Sequence, residues 1–486
     1  MNRPEEILKT TVELCRKRGL ILPTYRQMRD PEQVPPSIRA ELRSIGLWEV
    51  HPRNLFRITW KNEPVPRGGG FGPVNALQIP PELSGVPVHI LVLLGKYFPT
   101  GAHKVGATFG PLVERLITGR FDPTRQKALW PSTGNYCRGG VYDSALLGCQ
   151  SIAVLPEGMS RERFDWLREM GAEVIATPGS ESNVKEIYDQ VHRLLRERGD
   201  AIVNLNQFED FGNPRWHYAV TGPAMEDVFH TRAADHSYLA GVFLTQGSGG
   251  TLGSAVYLRE RFPAIKVGAG EALQCPTLLE NGYGAHRIEG IGDKHVPWIL
   301  NLKNLDLVAA IDDERVIRLF RLFQEPAGRE VLAERGVDRD WLPALEQLGI
   351  SGIANLVGTI AMAKYFEWDS RAVALTVATD SLELYRSRLE ELREREGEYT
   401  PRQAERDAYR YLDGIGTDPL LELRYPDKKR MHNLKYFTWV EQQGKTVEEL
   451  DRQWSDPEYW NQQFHCIDDW DEKIEAFNHR VGLVSD

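Results

Sequence analysis

Between Val86 and Ala378 the sequence alternates short apolar runs with helical stretches, and that alternation restricts the possible folds severely. Val88–Leu94, Ser151–Leu155, Glu173–Ala176, Ala201–Asn204, Gly241–Thr245, Lys266–Ala269 and Ala372–Ala378 read as strands. Val105–Ile117, Gly139–Leu147, Arg161–Met170, Val184–Arg198 and Gly352–Phe366 read as the helices between them. Strands alternating with helices in this way belong in parallel sheets covered on both faces. One helix shows the local logic: Ser160 can cap it, Phe164, Leu167 and Met170 form one stripe, and Gly171 ends it. Residues 1–65 read as polar helix, and Val65–Pro73 as a Pro/Gly loop. Beyond Leu389 the character changes. Glu390–Tyr399 is dense in charge, and the tail with Trp439, Trp454, Trp460 and Trp470 has no strand-like run, which predicts a helical extension.

Composition narrows the class of function. With 41% apolar residues, 486 residues can bury cores for two or three domains. A net charge of −10 argues against a general nucleic-acid binder, which needs a basic face. No apolar run approaches the roughly 18 residues of a bilayer span, and the first twenty residues carry no apolar signal core. Five cysteines without a CxxC pair indicate neither a disulfide framework nor a metal site. The expectation is a soluble cytoplasmic enzyme without metal.

Three segments could carry chemistry. Thr245-Gln-Gly-Ser-Gly-Gly-Thr-Leu-Gly253 lies between a strand and a helix through Ala255–Arg259. Its glycines can turn several N–H groups toward one point, and the helix start adds positive potential, as a phosphate cradle requires. The loop alone does not say which phosphate. As a dinucleotide fingerprint it gives G-x-G-x-x-x-G through Gly247, Gly249 and Gly253, with Glu271 where a ribose-binding acid would fall. Pro99-Thr-Gly-Ala-His-Lys-Val-Gly106 leads from a strand into a helix and places Lys104 against the positive end of the helix dipole. That position lowers the affinity of an amine for a proton, which suits Schiff-base chemistry. His103 is expected to point away or to pack, without a role. Pro131-Ser-Thr-Gly-Asn-Tyr136 is a third strand-to-helix turn, whose hydroxyls, N–H groups and amide could seat a carboxylate or phenolate oxygen.

In this order the three segments resemble the cysteine synthase and cystathionine β-synthase family of fold-type II pyridoxal-phosphate enzymes. The similarity runs from about Phe71 to Leu389. Ser132-Thr-Gly-Asn135 is similar to the family's substrate loop, and Val154-Leu-Pro-Glu-Gly-Met-Ser-Arg-Glu-Arg163 and Gly171-Ala-Glu173 follow it as in the family. Asn206-Gln-Phe208, Asn213-Pro214, Thr221-Gly-Pro223, His286-Arg-Ile-Glu-Gly-Ile-Gly292 with Pro297, and Asp380-Ser381 continue the match. The lysine segment instead resembles that of the tryptophan synthase β subunit, and Tyr136 and Cys137 depart from the family's threonine after the loop asparagine. The phenol is expected to reshape the pocket beside the substrate carboxylate. Cys137 reads as a buried small hydrophobe in preference to a persulfide carrier.

The resemblance implies a two-domain α/β, tryptophan synthase β-like fold with parallel-sheet domains and a helical C-terminal extension. Residues 1–95 with 199–389 would form the large cofactor-binding domain, 96–198 the small inserted one, and 390–486 the extension covering a cleft rim or an oligomer interface. It further implies pyridoxal 5'-phosphate as cofactor and Lys104 as its covalent anchor and the acid–base group at Cα. Gly247, Ser248, Gly249, Gly250 and Thr251 would hold the phosphate, Asn135 the ring hydroxyl oxygen, and Ser381 would face the pyridine nitrogen. Ser132, Thr133, Gly134 and Gln207 would receive the substrate carboxylate, and Gly290 and Gly292 would line the entrance. Asp380, adjacent on a strand, is expected to point to the other face. The implied activity is β-elimination or β-replacement on a small serine- or cysteine-like amino acid, in a homodimer. Alternatives are a deaminase, racemase or C–S lyase of the same fold, a nucleotide-dependent oxidoreductase using the glycine loop, and a non-catalytic relative.

Overall fold

The structure is a computed structural model that describes residues 3–132, 134–179 and 183–483. Its strands are β1 (Ala76–Ile79), β2 (His89–Leu94), β3 (Lys127–Pro131), β4 (Gln150–Pro156), β5 (Glu173–Thr177), β6 (Ile202–Asn204), β7 (Tyr238–Thr245), β8 (Lys266–Ala272), β9 (Leu307–Ile311), β10 (Ala372–Ala378) and β11 (Leu420–Glu422). They form a seven-stranded sheet in the order β1-β2-β10-β7-β8-β9-β11 and a four-stranded one in the order β5-β4-β3-β6. All pairings are parallel except those of the two edge strands, β1 with β2 and β11 with β9. The central strands are buried on both faces, and their period of two divides the core. Leu91 and Leu93 of β2 pack with Val373, Leu375 and Val377 on one side of the large sheet. Ile90, Val92 and Leu94 pack with Ala372 and Ala374 on the other, under helices Asp313–Gln324 and Ile350–Tyr365.

Several expectations need correction. β6 hydrogen-bonds to β3, so the small sheet extends past residue 198 into what was assigned to the large domain. The tail does contain a strand: β11 pairs with β9 and closes the edge of the large sheet. Ser160 stands at the N-cap of helix Arg161–Glu169 but makes no side-chain cap, and its buried Oγ has no hydrogen-bond partner among the described residues. The N-terminal region is less polar in role than in composition, because Leu20, Leu22, Tyr25, Met28, Leu55 and Trp60 are all buried.

Helix Lys104–Ile117 is central to the architecture. It packs on helix Asn135–Leu147 and on Gly212–Trp216, approaching the latter so closely that any side chain at Gly110 would strike the Gly212 carbonyl. At Gly139 a Cβ would lie 2.9 Å from the Lys104 carbonyl oxygen. The lysine segment and the asparagine segment are therefore fixed against each other by backbone contact.

Candidate active site

Lys104 opens its helix after two tight 3₁₀ turns, Gly95–Tyr97 and Pro99–Gly101, in which Thr100 and Gly101 take the left-handed conformation. The next residue up the chain, His103, donates its amide to the Thr379 carbonyl oxygen at 3.3 Å, and its Nε2 lies 3.2 Å from Thr379 Oγ1. The start of the lysine helix is thus tied to the C-terminal end of β10, where Ser381 follows two residues later. His103 is buried against the rings of Trp60 and His217, and burial holds its imidazole well below the usual histidine range. It packs, as its sequence context suggested.

The other segments converge on the same place. Asn135 Nδ2 donates to Asp380 Oδ2 at 2.6 Å, joining the small-sheet loop to the end of β10. Tyr385 OH donates to the same oxygen at 2.7 Å. Asp380 therefore does not turn to the opposite face: β10 ends at Ala378, the strand alternation no longer applies, and the carboxyl swings inward. Burial raises its pKa. Gln207 Nε2 donates to Ser132 Oγ at 3.1 Å, and that oxygen also accepts the Gly134 amide at 3.2 Å. Thr133 lies outside the described residues. Asn213 Nδ2 donates to the Gln207 carbonyl oxygen and to Ser248 Oγ, at 2.9 and 3.1 Å, linking the glycine loop to Gln207. The Gly292 amide donates to the Gln246 carbonyl oxygen at 3.0 Å, and a Cβ on Gly247 would lie 3.0 Å from the Gly290 carbonyl oxygen. Lys104, Ser132, Gly134, Asn135, Gln207, Gly247–Thr251, Gly290, Gly292 and Ser381 are thus linked, directly or through Thr379, Asp380, Asn213 and Gln246, around one region.

Two residues of this region escaped the sequence reading. Asn355 accepts the Thr245 amide at 2.6 Å and donates to the Val377 carbonyl oxygen at 2.8 Å, clamping the ends of β7 and β10 from which the glycine loop and Ser381 spring. It sits in a largely apolar helix, where a buried amide was the available signal. Asp293 is 2% exposed, and burial pushes its carboxyl up to about 7 against the opposing pull of the Lys104 ammonium. Its place directly after Gly290-Ile-Gly292 was the cue.

The residues fit a phosphate-bearing pyridine cofactor. Gly249 takes φ +76°, and a Cβ on Gly250 would run into the Asn213 amide, so the loop's backbone is packed too tightly for side chains and its N–H groups stay uncovered by them. Ser381 Oγ, Asn135 Oδ1, Asn213 Oδ1, Thr100 Oγ1 and both polar atoms of the Gln246 amide are buried without a hydrogen-bond partner among the described residues. Buried polar atoms rarely stay unpaired, so such a concentration marks a place built for polar groups. The dinucleotide alternative fails here. The Glu271 carboxylate is fully buried and accepts the Leu278 and Leu279 amides, each at 2.8 Å, so it has no face to offer a ribose. The Tyr136 ring is buried edge-on against Trp130 at 5.5 Å. The Cys137 thiol donates to the Trp130 carbonyl oxygen, and burial pushes its pKa up to about 12, which marks a packing residue. Among the described residues no group of three or more His, Cys, Asp or Glu could hold a metal ion, and no helix is long and apolar enough to cross a membrane.

The chain matches known proteins across this region. The family model described as pyridoxal-phosphate dependent enzyme covers residues 68–333. A cysteine synthase of Staphylococcus aureus is 30% identical over 258 residues, which span 53% of this chain and 74% of that protein. The cystathionine β-synthase of Saccharomyces cerevisiae is 31% identical over 252 residues, half of each chain. The crystal structure of an O-acetylserine dependent cystathionine β-synthase from Helicobacter pylori superposes with a TM-score of 0.53 at 25% identity, over 64% of this chain and 94% of that one. A cysteine synthase from Entamoeba histolytica, at 22% identity and a TM-score of 0.56 over 70% and 92%, shares the fold. The match covers the lysine segment, the asparagine loop and the glycine loop, and with the buried polar lining of the cleft it leads to one conclusion: the chain belongs to the pyridoxal-phosphate dependent enzyme family, as a fold-type II member of the cysteine synthase and cystathionine β-synthase kind.

Proposed function

We propose that the protein catalyses β-elimination or β-replacement on a serine- or cysteine-like amino acid, with Lys104 anchoring the cofactor. The observation that supports this reading is the tie between the lysine helix and the end of β10 through His103 and Thr379, which brings the start of the lysine helix beside the segment carrying Ser381. When bound, pyridoxal phosphate supplies an electron sink for charge developing at the substrate Cα. The chain supplies the rest. The amides of Gly247–Thr251 hold the phosphate at the start of helix Gly253–Arg261. Asn135 would meet the ring hydroxyl oxygen, and Ser381 would offer the ring nitrogen a neutral hydroxyl in place of a carboxylate. Ser132, Thr133, Gly134 and Gln207 orient the substrate carboxylate, and Lys104 carries the proton to and from Cα. Gly290 and Gly292 leave room at the entrance.

The names of the relatives support the substrate class: the two curated ones act, by name, in cysteine and cystathionine synthesis. Five unpaired cysteines accord with a reducing compartment, and we place the enzyme in the cytoplasm as a homodimer. The test is incubation with O-acetylserine, serine, cysteine and threonine, with and without sulfide. The reading expects pyruvate from a three-carbon substrate or capture of the added thiol. Racemised amino acid would favour the racemase alternative, keto acid and ammonia with no thiol capture the deaminase or C–S lyase alternatives, and unchanged amino acid in every case would sink the assignment.

A further inference from the structure

A cavity of about 450 Å³ opens away from the catalytic cleft, where three parts of the chain meet. They are the first turn of helix Val184–Arg198, the stretch from Thr277 to Val296, and the extension between Leu434 and Gln442. The volume lies within the roughly 300–1,000 Å³ of small-molecule sites. Two large aromatic side chains on its wall, Tyr283 and Phe437, are 76% and 56% exposed. Its charges are incompletely matched. Lys294 is half-buried, with its ammonium 5.9 Å from the centre of the Tyr283 ring, and it forms no ion pair within 4 Å among the described residues. Lys185, also at the cavity, is already paired with Asp189. Glu186 accepts from Asn183 Nδ2 through Oε1 at 2.9 Å, while Oε2 is buried without a hydrogen-bond partner among the described residues.

An ammonium lacking an anion and a carboxylate oxygen lacking a donor, at one aromatic-walled cavity, are the complement of a zwitterion. We infer that this cavity binds a free α-amino acid with an apolar or aromatic side chain. Its carboxylate meets Lys294, its ammonium meets Glu186, and its side chain lies against Tyr283 and Phe437. The ligand is an effector, because the walls lead to the cleft. Lys294, His295 and Val296 continue the segment of Gly290 and Gly292. His295, buried, lies 3.1 Å from the Tyr188 hydroxyl through Nε2 and packs its ring at 4.8 Å on Phe208, the neighbour of Gln207. On the far side Trp439 Nε1 donates to the Val296 carbonyl oxygen at 2.8 Å. Occupancy braces both the entrance loop and the carboxylate seat. The inference does not depend on which reaction the cleft performs.

Calorimetric titration of the holoenzyme with L-phenylalanine tests it, with the visible absorption of the bound cofactor followed in parallel. The expected result is saturable binding that leaves that absorption unchanged. Phenethylamine and 3-phenylpropionate, each lacking one charge, should bind at least about tenfold more weakly, as should L-phenylalanine to Lys294→Gln and Glu186→Gln. The inference is overturned by no saturable binding of L-phenylalanine or L-leucine at millimolar concentration. It is equally overturned by binding wholly accounted for by a shift of the cofactor absorption, or by binding that both variants leave intact. A holoenzyme inactive on every substrate would count against the proposed reaction and leave this binding as expected.

Discussion

Asp293 concentrates the electrostatics of the cleft in one side chain. Burial raises its folded-state pKa to about 7, whereas in the unfolded chain it falls near the ordinary value of about 3.9. Between those values the folded protein binds the extra proton, so this group's contribution to stability falls as pH rises from about 4 to about 7 and is constant above. The loss is at most about 4 kcal/mol. Asp293→Asn removes the titration, and the cofactor-free variant should gain urea resistance relative to the wild type at pH 8 but not at pH 4. An equal change at both pH values would contradict this assignment. Cys137 offers a second test. With its thiol pushed up to about 12 and donating to the Trp130 carbonyl oxygen, it should resist alkylation by iodoacetamide at pH 8 while the protein is folded. Peptide mapping that found it modified as fast as an exposed thiol would revive a persulfide role.

Under the proposed function, cofactor retention depends on the glycine loop. At Gly250 a Cβ collides with the Asn213 amide, the same amide that links Ser248 to Gln207, so Gly250→Ala must displace the loop or break that link. Cofactor retained after dialysis should fall at least about tenfold, equivalent to ~1.4 kcal/mol, and full retention would show that the loop holds no phosphate. This loop was legible in the sequence because chain-local chemistry makes it: a strand, four glycines and a helix start. The lysine and asparagine segments were legible for the same reason, each following a strand, whereas Ser381 stood out only through the family resemblance. What escaped was decided by partners distant in sequence. β9, Leu307-Val-Ala-Ala-Ile311, dilutes its Val and Ile with two alanines and lacks the period-two alternation that marks a strand. β11 has three residues and exists only because β9 presents an edge to pair with. The inward turn of Asp380 follows from β10 stopping at Ala378, and the clamp by Asn355 from two strand ends meeting above one helix, neither of which a residue pattern encodes.

Across the whole molecule, the C-terminal extension is part of the body. Helix Ile467–Val481 returns to the N-terminal helix Arg3–Arg18, where Arg16 donates to the Val481 carbonyl oxygen at 2.9 Å. Lys435, fully buried, donates to the carbonyl oxygens of Trp298 and Leu300, each at 2.8 Å, and to Gln453 Oε1 at 2.7 Å. It pins the extension to the stretch that leads away from Gly292. Lys435→Met leaves the Leu300 carbonyl oxygen and Gln453 Oε1 without this donor, while the Trp298 carbonyl oxygen keeps Gln453 Nε2 at 3.2 Å, and should cost about 3 kcal/mol of stability, read by denaturant unfolding; a cost under about 1 kcal/mol would mean that the extension is held elsewhere. The fold, the cleft and the proposed chemistry all converge on the amine of Lys104, and borohydride reduction of the holoenzyme followed by peptide mass mapping interrogates it directly. A reduced pyridoxyl adduct on the peptide containing Lys104, absent from Lys104→Ala, is the predicted result; an adduct on any other lysine, or none at all, would contradict it.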